Sequence, residues 1–133
     1  QEIRRTKMKK FTKYIAVGAM CCALLCTVVS VKASSGSLSY STSKNSYTYI
    51  GELVNNSAKA KTLSVNTRPS AGTGGVNVKI ATHDGTLKAS KVFPYYSSTS
   101  DLTANFPAGA VRRIYVKPNT SGEHIQGAVN YSY

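Results

Sequence analysis

The sequence has no tryptophan, and its three cysteines lie close together in one apolar run near the N-terminus, at Cys21, Cys22 and Cys26. The chain beyond residue 33 therefore contains no cysteine, which excludes disulfides, thiolate metal sites and a cysteine nucleophile there. A domain of about 100 residues is large enough to be held together by its own hydrophobic core. Because small exported eukaryotic domains are usually rich in disulfides, the composition favours a bacterial source.

The side chains that most enzymes use for catalysis are also scarce. The two histidines are expected on the surface, His83 in an Asp-Gly turn and His124 at the start of a strand. Acidic residues beyond residue 33 are dispersed, without the pairing of glycosidases or the clustering of calcium loops, at Glu52, Asp84, Asp101 and Glu123. No serine lies in a Gly-x-Ser-x-Gly pattern, and residues 72–75 lack the Gly-Lys-Ser/Thr ending of a phosphate loop. We predict that the protein is not an enzyme and binds no cofactor or metal.

Residues 8–33 have the pattern of a secretion signal. Basic residues follow the methionine at position 8, at Lys9, Lys10 and Lys13. Residues 14–31 then form an uncharged, mostly apolar run that predicts a signal helix. A small residue, Ala33, closes this segment in the position that signal peptidase requires, and the polar residue Ser34 follows. We predict cleavage between Ala33 and Ser34, which makes the protein secreted, either free or associated with the cell wall.

The main alternative to cleavage is a retained signal anchor, because the apolar run is close to the minimum length of a membrane span. In that case the uncleaved signal would be the protein's only contact with a membrane. Residues 1–7, which precede the methionine, have no apolar pattern, and we interpret them as an upstream extension without a structural role.

The chain is strongly basic, and residues 1–33 account for half of its net charge. The whole sequence has a formal net charge of +12, with 17 basic and five acidic residues. Seven of the basic residues and one acid lie in residues 1–33, so ten basic and four acidic residues remain, a net charge of +6. A domain with this charge is attracted to anionic partners.

Strand patterns recur beyond residue 46 at the spacing typical of a β-sandwich. Alternating or β-rich segments predict strands at 46–54, 59–67, 76–80, 87–93, 101–106, 111–117 and 124–133. Residues 83–86 predict a hairpin turn, and residues 68–75 predict a long flexible loop. We expect an all-β fold, a small antiparallel sandwich of about seven or eight strands. It would occupy residues 47–133, preceded by a Ser-rich N-terminal segment at 34–46.

Candidate binding residues combine phenols with basic side chains. Four basic residues and one tyrosine are expected on or near outward-facing strand positions: Lys79, Lys88, Arg113 (or its neighbour Arg112), Tyr115 and Lys117. Two further candidates, Tyr95 and Tyr96, are adjacent in a loop, where at least one ring is expected to be exposed. Such rings can stack on sugars while the cations contact phosphates or carboxylates.

The sequence therefore supports three hypotheses for function. The first is a secreted, non-enzymatic β-sandwich that associates with an anionic wall polymer or glycan of the bacterial cell envelope. The second is a bacteriocin-like or toxin-like antagonist that acts on the envelope of competing bacteria. The third is a surface-fibre or assembly subunit that self-associates, with Tyr131 and Tyr133 of the last strand pairing with an open strand of a neighbour. Nucleic-acid binding fits the charge but not the compartment.

Overall fold

The computed structural model describes residues 34–97 and 99–133. The predicted extension at 1–7, the signal at 8–33 and the residue before the predicted cleavage point, Ala33, lie outside the described residues. Within the described part of the chain, no helix is long and apolar enough to cross a membrane. The residues from Ser34 onward belong to one compact unit with its own core, so 34–133 is a sensible unit for experiments.

The described residues form eight strands: β1 Ser35–Thr42, β2 Thr48–Val54, β3 Lys61–Thr67, β4 Val76–Ala81, β5 Leu87–Phe93, β6 Leu102–Phe106, β7 Val111–Pro118 and β8 Ile125–Ser132. They make two four-stranded antiparallel sheets. The β8 sheet has the order β1-β8-β3-β6, and the β7 sheet has the order β2-β7-β4-β5. This arrangement confirms the prediction of an all-β antiparallel sandwich.

Strand β1 lies inside the Ser-rich segment at 34–46 that the sequence analysis set apart from the sandwich. It pairs with β8 at every residue from Ser35 to Thr42. Only Tyr40 of this strand is buried, and Leu38 is half-buried, so the apolar alternation that signals a strand is weak here. The strand exists because β8 supplies its hydrogen-bonding partners.

The core lies between the sheets and is filled by inward-facing side chains of both. In β7 the residues alternate strictly between buried and half-exposed positions, as predicted for Ile114 and Val116 against Arg113 and Tyr115. The largest fully buried apolar side chains are Phe93, Phe106, Leu63, Ile80, Ile114, Ile125, Val65, Val76, Val78, Val116 and Val129. This packing fixes which residues of each strand point outward.

Two polar side chains tie the sheets together at one end of the sandwich. Buried Asn55, which follows β2, donates from Nδ2 to the carbonyl oxygen of Phe106 in β6 at 2.8 Å. Arg112 of β7 points inward, and its Nε donates to the carbonyl oxygen of Asn105 in β6 at 3.2 Å. Because buried polar groups must keep their partners, these bonds hold β6 against the β7 sheet.

Residues 68–75, for which the sequence predicts a flexible loop, are anchored by hydrogen bonds. The backbone N–H of Gly74 and the hydroxyl of Thr73 donate to the two carboxylate oxygens of Glu123 at 2.9 and 2.8 Å. Asn119 donates from Nδ2 to the carbonyl oxygen of Gly74 at 3.0 Å. A Cβ at Gly74 would clash with the side chain of Thr120, so glycine favours this close approach.

Candidate functional site: a basic and aromatic sheet face

The outward-facing side of the β7 sheet carries phenols and cations in rows that cross the strands. Tyr49 of β2 lies opposite Tyr115 of β7, which lies opposite Lys79 of β4. The next row places Lys117 opposite Asn77. We call this surface the basic face and define it by Tyr47, Tyr49, Lys79, Lys88, Arg113, Tyr115 and Lys117. Sequence-distant residues meet here because antiparallel pairing brings outward positions of neighbouring strands side by side.

Two lysines of the basic face lie against the same phenol ring. The Nζ of Lys79 is 4.4 Å from the ring centroid of Tyr47 and 4.6 Å from that of Tyr115. The Nζ of Lys117 is 4.8 Å from the Tyr47 centroid. The negative potential of a ring face attracts an ammonium group, so these contacts hold two like charges close together on the sheet. The result is a local concentration of positive charge with ordered side chains.

Arg113 forms the second part of the face, one row further along β7. Its guanidinium carbon is 5.4 Å from the ring centroid of Tyr49, and its Nη2 is 3.2 Å from Nδ1 of His83. The Nε of Arg113 is buried and has no hydrogen-bond partner among the described residues. Glu52 lies opposite Arg113 in the strand register, and its carboxylate is 3.5 Å from His83. This end of the face therefore contains one acid beside the cations.

Tyr47 and Tyr49 of the basic face stay neutral at ordinary pH. Burial raises the pKa of Tyr47 above its usual value. Burial also raises the pKa of Tyr49, reinforced by the charge of Glu52 and by Tyr115 and opposed by the charge of Arg113. A tyrosine ionises only near pH 10 even without such shifts, so the rings add no negative charge at neutral pH. The electrostatic character of the face is set by its cations.

The structure brings four of the seven predicted binding residues into contact with one another or with a shared ring: Lys79, Arg113, Tyr115 and Lys117. Lys88 is exposed on β5, two residues from Ser90, which pairs with Lys79. It therefore lies at the outer edge of the same face.

Tyr95 and Tyr96 lie elsewhere, in the turn after β5. Their ring centroids are 4.4 Å apart, and Arg68 lies 5.7 Å from the Tyr96 ring. Tyr96 has a positive φ of 50°, and its backbone N–H donates to the carbonyl oxygen of Pro69 at 3.4 Å. The turn thus contacts the 68–75 loop, and this pair with Arg68 is a smaller aromatic and basic cluster of its own.

Tyr47 and Tyr49 were not among the binding residues predicted from the sequence. Tyr49 could have been found from its outward parity in β2, had the pairing of β2 with β7 been known. Tyr47 precedes β2 and contacts both lysines, although no sequence spacing links it to residues 79 and 117. Placing Tyr47 and Tyr49 in the face requires the order of the strands in the sheet, which the sequence does not reveal.

Other surfaces of the described residues have fewer features of a binding site. One shallow cleft lies beside Tyr40 and Gly127, and another lies beside Asp84 and Arg112. Neither cleft is lined by more than one carboxylate. In the part of the chain that the structure describes, no group of three or more His, Cys, Asp or Glu side chains could hold a metal ion.

No family model and no curated protein matches this sequence. Among solved structures, the crystal structure of the SPBc2 prophage-derived protein YomS is similar over 79% of this chain and 99% of that chain. The two sequences are 13% identical, and the TM-score is 0.39. The functional argument therefore depends on the geometry of the basic face.

Proposed function

We propose that this protein is a secreted, non-enzymatic module that associates with an anionic polymer or glycan of the bacterial cell envelope through its basic face. The observation that carries this proposal is the position of Lys79 and Lys117 against one ring, that of Tyr47. Two ordered cations beside neutral phenols provide a place where phosphate or carboxylate groups can bind while sugar rings contact the aromatic surface.

The shape of the site favours a polymer over a small molecule. Small-molecule sites are usually concave and bury most of the ligand. The basic face is the outer surface of a four-stranded sheet, about 15 Å across at the usual strand spacing. A surface of this kind can contact several units of a linear polymer at once, which adds weak contacts together.

The charge of residues 34–133 supports the same proposal at longer range. Ten basic and four acidic residues give a net charge of +6. Such a charge attracts the protein to phosphate-rich walls before any specific contact forms, and salt weakens the attraction. Specific contacts at the face then determine how long the protein remains bound.

The test is a pull-down of residues 34–133 with purified Gram-positive cell walls at low and high salt. We expect the double variant Lys79→Glu and Lys117→Glu to weaken binding about tenfold, because two attractions at the surface of the sheet become repulsions. The matched control is Lys59→Glu with Lys61→Glu, which changes the net charge equally but lies outside the face. It should weaken binding by about twofold through the general loss of charge.

Equal losses in the two double variants would contradict a role for the face and leave only nonspecific charge attraction. Circular dichroism must show that both variants are folded. The same experiment with living cells tests the antagonist hypothesis, because killing of the bound cells would favour an attack on the envelope. Undiminished viability of cells that carry bound protein would support the envelope-associated module.

A further inference from the structure

The outer side of the β8 sheet differs from the basic face because it carries uncharged polar residues on all four strands. One row crosses the whole sheet through Ser35, Ser132, Ser64 and Thr103. We call this surface the neutral face and define it by Ser35, Ser37, Ser39, Ser41, Thr62, Ser64, Asn66, Thr103, Asn105, Gln126, Ala128, Asn130 and Ser132. Its outermost strand on one side is β1.

The third sequence hypothesis placed self-association at the last strand, and the structure corrects that placement. Strand β8 is an interior strand, since β1 pairs with it along its whole length and β3 pairs with it from Val129 to Ser132. The backbone of Tyr133 also exchanges hydrogen bonds with that of Ser34. Residues 129–133 therefore offer no open edge to a neighbour.

The sandwich has four edge strands, and three of them are protected against strand addition. Strand β5 carries Lys91 on an inward position, and its Nζ donates to Ser100 at 2.7 Å. Strand β6 has five residues, and the carbonyl oxygen of Asn105 accepts a hydrogen bond from Arg112. Strand β2 is interrupted by a bulge after Tyr49. Inward charges, short strands and bulges are the usual means of blocking edge pairing.

Strand β1 has none of these protections. It is eight residues long, pairs with β8 without a register shift, and contains no charge, no proline and no bulge. No described residue pairs with its outer edge, because its only ladder partner is β8. A long, regular and uncharged edge exposes a row of backbone donors and acceptors that another strand can use.

We propose that the free edge of β1 pairs in antiparallel fashion with β1 of a second copy, so that two β8 sheets become one continuous sheet. The charge distribution favours a second copy at this place. Two molecules of charge +6 repel each other through most of their surfaces, but β1 and the neutral face bring no charged side chain to the junction. The exposed hydroxyls of Ser37 and Ser39 can donate and accept hydrogen bonds reciprocally across a two-fold axis.

The register of this pairing follows from the geometry of antiparallel strands. Directly opposed residues point to the same side of a sheet, so a two-fold axis must pass through one residue position rather than between two. Leu38 is half-buried at the edge of the core, and its side chain occupies the space that a Cβ at Gly51 of β2 would need. An axis at Leu38 places the two leucines against each other and covers their remaining apolar surface. Ser37 of one copy is then opposite Ser39 of the other.

The first test is sedimentation of residues 34–133 over a concentration series at physiological salt. We expect a reversible dimer, weak because pairing of one strand buries less area than a stable interface. The double variant Ser37→Lys with Ser39→Lys places like charges directly opposite each other and should raise the dissociation constant at least about tenfold. The control, Thr62→Lys with Thr103→Lys, adds the same charge to the neutral face away from β1 and should keep the dimer.

A protein that stays monomeric at every concentration would overturn the proposal. So would a dimer that survives lysines at 37 and 39, or one that both lysine pairs weaken equally.

A second test does not require the lysine variant to fold. Residues 34–133 contain no cysteine, so single engineered cysteines report on contacts between copies. In the proposed register, a mixture of Ser37→Cys and Ser39→Cys proteins should form a disulfide dimer faster than either variant alone, because residues 37 and 39 are opposed. Faster cross-linking by either variant alone, or equal rates in all three samples, would overturn the proposed pairing.

Discussion

The basic face and the neutral face are the outer sides of two sheets with the same number of strands and a shared core. On the β7 sheet, the row through Tyr49, Tyr115 and Lys79 is made of long side chains with rings and charge. On the β8 sheet, the corresponding row is made of short hydroxyl side chains. Inward positions of both sheets are constrained by packing, whereas outward positions are free to vary. The packing of the core therefore does not determine the difference between the faces.

The two faces also differ in how their side chains are held. On the basic face, the lysine ammonium groups lie over rings at 4.4 to 4.8 Å, which orders long and otherwise mobile chains. On the neutral face, Asn66 donates to the carboxylate of Asp101 at 2.7 Å and to the carbonyl oxygen of Thr99 at 2.9 Å. Long charged side chains are thus ordered by rings on the basic face, whereas a short amide is ordered by hydrogen bonds on the neutral face.

The largest expected effect comes from a substitution in the core that the two sheets share, because it destabilises the scaffold of both faces. Phe106 is fully buried, and its ring centroid is 4.8 Å from that of Tyr133. Phe106→Ala should lower the free energy of unfolding by about 3–5 kcal/mol, because it leaves a cavity between the sheets. Urea unfolding of residues 34–133 measures this loss. Thr103→Ala, exposed on the same strand, should change stability by about 0.5 kcal/mol or less.

A loss of less than about 1 kcal/mol in Phe106→Ala would mean that the cavity is not formed and that the sheets pack differently. The two sheets would then not share one core, and the comparison of their outer faces would lose its basis.

A smaller effect is expected from a substitution that alters the basic face without altering the net charge of the protein, and it tests the difference between the two faces. Tyr47→Leu removes the ring that Lys79 and Lys117 share. We expect binding to anionic cell walls to fall about twofold to fivefold, because an exposed cation–π contact is worth about 0.5–1 kcal/mol. Wall pull-down at fixed salt measures it. Ser64→Ala on the neutral face is the matched control and should leave binding unchanged; a similar loss there would erase the distinction between the faces.

The smallest effect concerns a residue that belongs to neither face. The pKa of Glu123 lies below its usual value because the backbone N–H of Gly74 and the hydroxyl of Thr73 donate to its carboxylate. A pKa lowered by folding adds stability above the unfolded value, and this stability is lost as the pH falls through the folded value. Glu123→Gln should therefore lower the melting temperature slightly at pH 7, while wall binding at pH 7 stays unchanged.

At about pH 3, below the usual carboxyl pKa, the difference between Glu123→Gln and the parent protein should shrink or vanish. Thermal unfolding at the two pH values measures the change. A melting-temperature difference that is the same at both would show that the charge of Glu123 does not hold the 68–75 loop.

The sequence predicted those parts of the fold that depend on local alternation. Val76, Val78 and Ile80 are buried in β4, and Ile114 and Val116 are buried in β7, as their spacing indicates. From such patterns the outward positions of Lys79 and Arg113 follow directly. Most residues of the basic face could therefore be predicted one by one from the sequence, although not their arrangement.

The remaining features depend on contacts between distant segments, which local patterns do not report. Strand β1 has only two apolar anchors and is stabilised by β8, so its Ser-rich sequence resembles a linker. The 68–75 loop is rich in glycine, yet Glu123 anchors it from 49 and 50 residues away. Tyr47 joins the basic face only through strand order. In each case one partner lies far along the chain.

The proposed antiparallel pairing of β1 with β1 of a second copy has a consequence for the strength of binding to the envelope. A two-fold axis perpendicular to a sheet keeps both copies facing the same way, so in the proposed dimer both basic faces point to one side. Such a dimer would be bivalent toward a polymer surface, and the second face would engage at a high effective concentration once the first is bound. Retention on the envelope would then rise steeply with protein concentration, although each face alone binds weakly.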